Sequence, residues 1–153
     1  MSRFEKYWAA HVGQNYVCDR DTFDNQCAMR MGSALRSCGV IISGLKTCID
    51  YNPSRFKDHE PGHIREAQAL ANYFYRNPTR GGLGASEFKV FEGSISGNLD
   101  KLKNVSGMIF IMNGWGTTDH IDLWKGNPAS GTLRGGTSSY LAVGQQVWFW
   151  AIS

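Results

Sequence analysis

A chain of 153 residues, 42% hydrophobic and 19% charged, can bury one ordinary globular core, and that balance excludes an intrinsically disordered polymer. A mean hydropathy of -0.33 with no long apolar run argues against a membrane-spanning helix. The formal net charge of +3 is small and no basic stretch interleaves with aromatics, which argues against a nucleic-acid groove; so weak a positive field either favours an anionic polymer or carries no meaning.

In chain order, the opening MSRFEKYWAAHVGQ lacks the apolar centre of a secretory signal. The expectation is a protein that stays in the cytoplasm or leaves by a route needing no such signal. Phe4, Tyr7, Trp8 and His11 recur at helical spacing and predict a short helix over 4–12, with these side chains as core. A polar loop runs from Gly13 to Asp24. Asp24 or Asn25 then caps a second helix, in which Ala28, Met31, Ala34 and Leu35 share a face and Gly39 marks the end. Mixed signals follow as far as Pro61, which is expected to open a third helix over GHIREAQALANYFYR, ended by Asn77 and Pro78. Gly81, Gly82 and Gly84 predict a loop and SEFKVFEG a strand, with a short helix or turn over 98–103. VSGMIFIMNGW reads as a buried strand. DHIDLWKG alternates, with Ile121 and Leu123 on one face and His120 and Asp122 on the other. Residues 127–139 read as loop, and QQVWFWAIS as a last strand. Helices first and antiparallel strands second make an α+β chain, expected to be one catalytic domain over 1–153.

Chemistry enters through a cysteine. A thiol attacks a carbonyl as thiolate, and a helix N-terminus or a neighbouring imidazolium favours the anion. Cys27 falls in the first turn of the second helix, where backbone N–H groups, its own included, are also expected to face an oxyanion. Cys38 ends the same helix, and Cys18 and Cys48 lie in loops. No C-x-x-C pair exists, which argues against a zinc ribbon, and the sequence calls for no metal and no cofactor. With one cysteine catalytic, at most one pair can form within the chain; Cys38–Cys48 is the preferred pairing, with free buried thiols as the alternative. Of four histidines, His120 on its polar strand face is the candidate base. His11 reads as structural, and His59 and His63, flanking Pro61, read as solvated. Asp122 faces the same way as His120 and is the first choice to orient the imidazole; Asn127 and a backbone carbonyl are the alternatives, whereas Asp119 should point to the opposite face. A carboxylate at 122 could equally be solvated or paired with Arg30.

Two blocks carry a resemblance. Asn25-Gln26-Cys27-Ala28-Met29-Arg30-Met31-Gly32 with Ala34-Leu35 resembles the nucleophile helix of the fourth family of type VI secretion amidase effectors. Asn113-Gly114-Trp115-Gly116 followed by His120-Ile121-Asp122-Leu123-Trp124-Lys125-Gly126 resembles that family's histidine strand. The resemblance implies a papain-like fold of the NlpC type, N-terminal helices packed on an antiparallel sheet. It implies a cysteine endopeptidase (an antibacterial toxin) that enters the periplasm of rival bacteria without a signal peptide. There it would cut peptidoglycan stem peptides between D-glutamate and meso-diaminopimelate. The implied partners are those stem peptides, the secretion machinery and a cognate immunity protein, with no nucleic acid and no membrane. Trp115 would wall the substrate groove and Arg30 would hold a stem-peptide carboxylate; core packing and a structural ion pair are the respective alternatives. One departure stands out. Family members often carry a third catalytic aspartate about eleven residues after the histidine, where this chain has Gly131, and no acid lies between Lys125 and Ser153. The disulfide that some relatives hold in that loop is also absent. Two rival readings remain: a phage or housekeeping wall peptidase, and a non-catalytic module that binds wall or a partner.

Overall fold

A computed structural model of the chain describes residues 1–20, 23–48, 62–79 and 82–153. Among the described residues, three helices precede the sheet: α1 (Arg3–Ala10), α2 (Cys27–Ser37) and α3 (Ala67–Arg76). Five strands follow, β1 (Glu87–Glu92), β2 (Ser106–Trp115), β3 (Thr118–Gly126), β4 (Gly131–Leu133) and β5 (Gln146–Ala151), with a short α4 (Leu99–Leu102) between β1 and β2. They form one antiparallel sheet in the order β1-β5-β2-β3-β4. The α+β, papain-like architecture expected from the sequence is the one observed.

Local chemistry explains the helix ends. Ser2 and Glu5 form a reciprocal capping box on α1, so the helix begins at Arg3 and stops before the extended His11. Gly39, at φ +88°, takes the left-handed conformation that ends α2. α3 starts at Ala67, later than expected. Ile64 sits instead in a bridge to Thr47 and packs so closely on α2 that a Cβ at Gly32 would lie 2.8 Å from its Cδ1. The expected opener Pro61 lies outside the described residues, as do His59 and Gly81.

The strand alternation sorts the core into two layers. Ile121 and Leu123 of β3 join Met108, Phe110 and Trp150 under the three helices. Trp124, Ile109, Ile111 and Phe149 pack on the other face with Leu133 and Leu102. The stretch 127–139, expected to be all loop, contains β4, which pairs Trp124 with Leu133 and so continues the sheet past β3. A Cβ on Gly131 would meet the ring of buried Trp124 at 2.2 Å. An aspartate side chain, which the resemblance led one to expect about here, has no room at position 131 unless Trp124 shifts. Gly131→Asp should therefore destabilise the chain by about 1–3 kcal/mol through overpacking, read as a lower midpoint in urea unfolding, and should add no activity.

Candidate active site

α2 and β3 bring Cys27, His120 and Asp122 together. Cys27 is the first residue of α2, 4% exposed, and its Sγ lies 3.9 Å from the carbonyl oxygen of Asp119. The expected cap is replaced by a different device. The N-cap is Gln26, whose fully buried amide accepts from the N–H groups of Val17 and Cys18 and donates to the carbonyls of Cys18 and Phe23. Gln26 thus folds the preceding loop onto the helix start. Asn25 does not cap the helix from outside. Its Oδ1 accepts the Cys27 N–H at 3.2 Å, a turn that asparagine forms readily two residues ahead of a donor. The Cys27 N–H, expected to be free for an oxyanion, is engaged in this state.

β3 delivers the histidine. Between Ile111↔His120 and Trp115↔Thr118, three residues of β2 oppose only Asp119, and this bulge ends in a two-residue turn with Gly116 at φ +68°. Asp119 Oδ1 accepts the Asn113 N–H at 2.8 Å, which fixes the bulge and leaves the Asp119 carbonyl facing Cys27. His120 is 7% exposed and its Nε2 lies 2.7 Å from Asp122 Oδ2. Burial pushes the His120 pKa down, but hydrogen bonds to Asp122 and Cys27, and their charges, outweigh it and hold it up at about 9.

Asp122 is fully buried and fully used. Beyond His120 it accepts from the N–H groups of Leu123 (2.7 Å), Gly135 (2.9 and 3.0 Å) and Gly136 (2.8 Å). Burial opposes its charge, yet the His120 hydrogen bond, both histidines and the backbone donors hold its pKa below the usual carboxylate value. Asn127, the alternative orienter, is spent elsewhere: its Oδ1 accepts from Ala129 and Ser130 in a surface turn. Nor does Arg30 pair with Asp122. Its guanidinium donates to the carbonyls of Asn15 (2.7 Å) and Gln14 (3.0 Å), pinning the loop before α2, and stacks over Tyr16.

His11 approaches the same carboxylate, with Nε2 3.8 Å from Asp122 Oδ1 while Nδ1 accepts from the Gly13 N–H. Burial pushes its pKa down to about 4; Asp122 opposes this, while Arg134, Arg30 and His120 reinforce it. The unfolded chain therefore takes up this proton near pH 6.5, well before the folded one. His11's contribution to stability is present above pH 6.5 and drains away as pH falls toward 4. In the folded chain His120, raised, and Asp122, lowered, keep their charge states throughout that window. In the unfolded chain His120 titrates near 6.5, so its stabilisation grows as pH falls and opposes the His11 loss. The His11 loss of about 2 kcal/mol between pH 7.5 and pH 5 is largely offset by a His120 gain of about 1.4 kcal/mol, so urea unfolding should show only a small net change. His11→Gln should expose the gain, the chain becoming more stable as pH falls through that window.

The pair opens onto a cleft of about 610 Å³ lined by Cys27, His120, Asn25, Arg30, Trp115 and Tyr140 among others. Trp115 is 41% exposed and stands edge-on to Tyr140, which in turn stands edge-on to the His120 ring at 4.9 Å. A second cleft of about 280 Å³ also touches Cys27, lined by Arg65, Glu66, Gln68 and Thr118. Sequence reasoning missed Tyr140 and the Gly135–Gly136 donors, which only tertiary folding brings to the site, and it read Asn25 as a helix cap and His11 as a structural residue. No disulfide joins any of the four cysteines. Cys38 lies against Lys6, whereas Cys48 packs with Cys18, so the expected Cys38–Cys48 pair is not formed. His63, expected to be solvated, is buried.

The type VI secretion system amidase effector protein 4 family matches residues 23–150. The crystal structure of the type VI effector Tae4 from Enterobacter cloacae superposes with a TM-score of 0.64 at 16% identity, covering 100% of this chain and 98% of that one. No curated protein matches the sequence. The family match spans both blocks that form the Cys27–His120 cleft. The chain belongs to the type VI secretion amidase effector 4 family, antibacterial enzymes that hydrolyse amide bonds of peptidoglycan.

Proposed function

We propose that residues 1–153 act as one catalytic unit in which Cys27 is the nucleophile, His120 the acid and base, and Asp122 the group that orients His120. The scissile amide is the one from D-glutamate to meso-diaminopimelate in the stem peptide. The observation that carries this reading is the 2.7 Å contact from His120 to a carboxylate saturated by backbone donors, beside a cysteine at a helix start on the cleft floor.

The chemistry follows from that arrangement. An imidazolium persisting through neutral pH favours the Cys27 thiolate, which attacks the carbonyl carbon. The developing oxyanion takes over the Cys27 N–H as the Asn25 side chain swings away. His120 passes its proton to the leaving amine of diaminopimelate. Water then attacks the thioester, His120 takes the water's proton, and the free D-glutamyl carboxylate and the thiolate are released. Asp122 keeps the ring oriented and its cation stabilised throughout.

Two clefts that meet at Cys27 suit a peptide lying across the nucleophile, with Trp115 as a wall. Arg30 stays at the edge of the larger cleft, where its charge can attract a stem-peptide carboxylate while it holds the 14–15 carbonyls. Delivery by the secretion machine into the periplasm of a target cell, and a cognate immunity protein that covers this cleft, complete the proposal. The test is mass spectrometry of purified muropeptides after digestion. The expected products are a D-glutamate-terminated fragment and a fragment beginning with diaminopimelate. Cleavage at another bond overturns the assignment of the substrate, and intact muropeptides overturn the catalytic reading.

A further inference from the structure

Away from the cleft, three soft ligands converge. The sulfurs of Cys18 and Cys48 and a ring nitrogen of His63 all lie within 4.8 Å of one another, in a buried pocket with Met29 of α2. Cys48 Sγ is 3.5 Å from His63 Nδ1. Zinc bonds of about 2.3 Å to sulfur and 2.0–2.1 Å to nitrogen, meeting at a tetrahedral angle, separate those two atoms by about 3.5 Å. We propose that Cys18, Cys48 and His63 form a metal site that takes Zn(II), independent of the amidase chemistry.

Charge and ligand type favour that ion. Thiolate and imidazole together select zinc over the hard cations held by oxygen. Two thiolates neutralise the charge of Zn(II), and a neutral imidazole adds none, so the filled site is uncharged, as a buried site requires. Binding expels the two thiol protons to solvent and changes no oxidation state. An exogenous ligand completes the tetrahedron.

The site sits where a staple has a purpose. Cys18 belongs to the loop that Gln26 folds onto the start of α2. Cys48 and His63 belong to the bridged segments Thr47–Cys48 and His63–Ile64, joined by the Cys48 N–H to the His63 carbonyl at 2.7 Å. A metal there ties the loop leading to the nucleophile to the segment that packs Ile64 on α2. Separations of 48 − 18 = 30 and 63 − 48 = 15 residues match no zinc motif, which explains why spacing alone argued against a metal.

The test uses the full chain carrying Cys27→Ser and Cys38→Ser, so that no other thiol can answer. Reduced, chelator-stripped protein is titrated with Co(II) and then Zn(II). The expected result is one equivalent of Co(II) with a thiolate charge-transfer band, displacement by Zn(II), and a rise in unfolding temperature of about 5 °C or more. Cys18→Ser or Cys48→Ser should abolish the band, and His63→Ala should weaken binding at least about tenfold, the order expected when a ligand is lost. Should those variants not fold, X-ray absorption of the zinc-loaded parent must still show two sulfurs in the first shell. No band and no thermal shift, a zinc shell without sulfur, or a band that survives loss of both cysteines would overturn the site. Reduced protein that binds no Co(II) and forms only a Cys18–Cys48 disulfide on oxidation would do so too.

Discussion

Cys27→Ala should lose about a millionfold in kcat on peptidoglycan stem peptides while keeping the parent fold. In the proposed mechanism the Cys27 sulfur forms the thioester, and the alanine leaves His120 with nothing to activate but water. His120→Ala should cost a similar factor, and the double variant should be no worse than either single one, because the two groups act as a unit. The fold should survive because truncating Cys27, a buried member of the helix-side core, removes a single heavy atom. Near-parental circular dichroism and an unfolding midpoint within a few degrees check that half of the expectation.

Asp122 carries the second large effect, and it acts on both activity and stability. Asp122→Asn keeps the shape but removes the charge, turning an amide N–H toward donors that need an acceptor. Activity should fall about ten-thousandfold through loss of the oriented imidazolium. The pH profile separates this from simple unfolding. With His120 held at about 9, kcat/KM of the parent should fall on the alkaline side with a limb near 9. Without the Asp122 charge, burial acts with less opposition and the limb should move to lower pH. The same linkage makes His120's stabilisation complete below pH 6.5 and progressively lost as pH rises toward 9. Asp122→Ala is harsher. It strands the N–H groups of Leu123, Gly135 and Gly136 and the His120 ring in a fully buried site, and should cost about 3–5 kcal/mol in chemical unfolding. An unchanged alkaline limb in Asp122→Asn would detach Asp122 from the histidine.

Much of this site can be read in the residues because it rests on two local periodicities. Alternation along 118–126 puts His120 and Asp122 on one face whatever the rest of the chain does, and helical spacing from Ala28 to Leu35 puts Cys27 at a helix start. What stayed hidden is non-local. Gly135 and Gly136 show no side chain to mark them as donors, yet they saturate Asp122 from across β4. His11 reads as helix-face core and instead ends α1 against the catalytic-side carboxylate. The bulge at 112–114 obeys no sequence period, and it decides where the Asp119 carbonyl and Trp115 point. Ile64 fits a helical stripe by spacing, but its backbone is taken up in the β-bridge to Thr47, which delays α3 while its side chain packs on α2. Gly131 illustrates the converse: an apparent catalytic gap in the sequence is a packing requirement of Trp124.

The proposed mechanism requires Asp122 and His120 to keep the sulfur of Cys27 reactive. Site-resolved mass spectrometry of iodoacetamide labelling at neutral pH measures this without any substrate. Cys27 should be alkylated well ahead of Cys18, Cys38 and Cys48, and Asp122→Asn should slow Cys27 alone. Four cysteines reacting at one sluggish rate, or a Cys27 rate indifferent to Asp122→Asn, would contradict it.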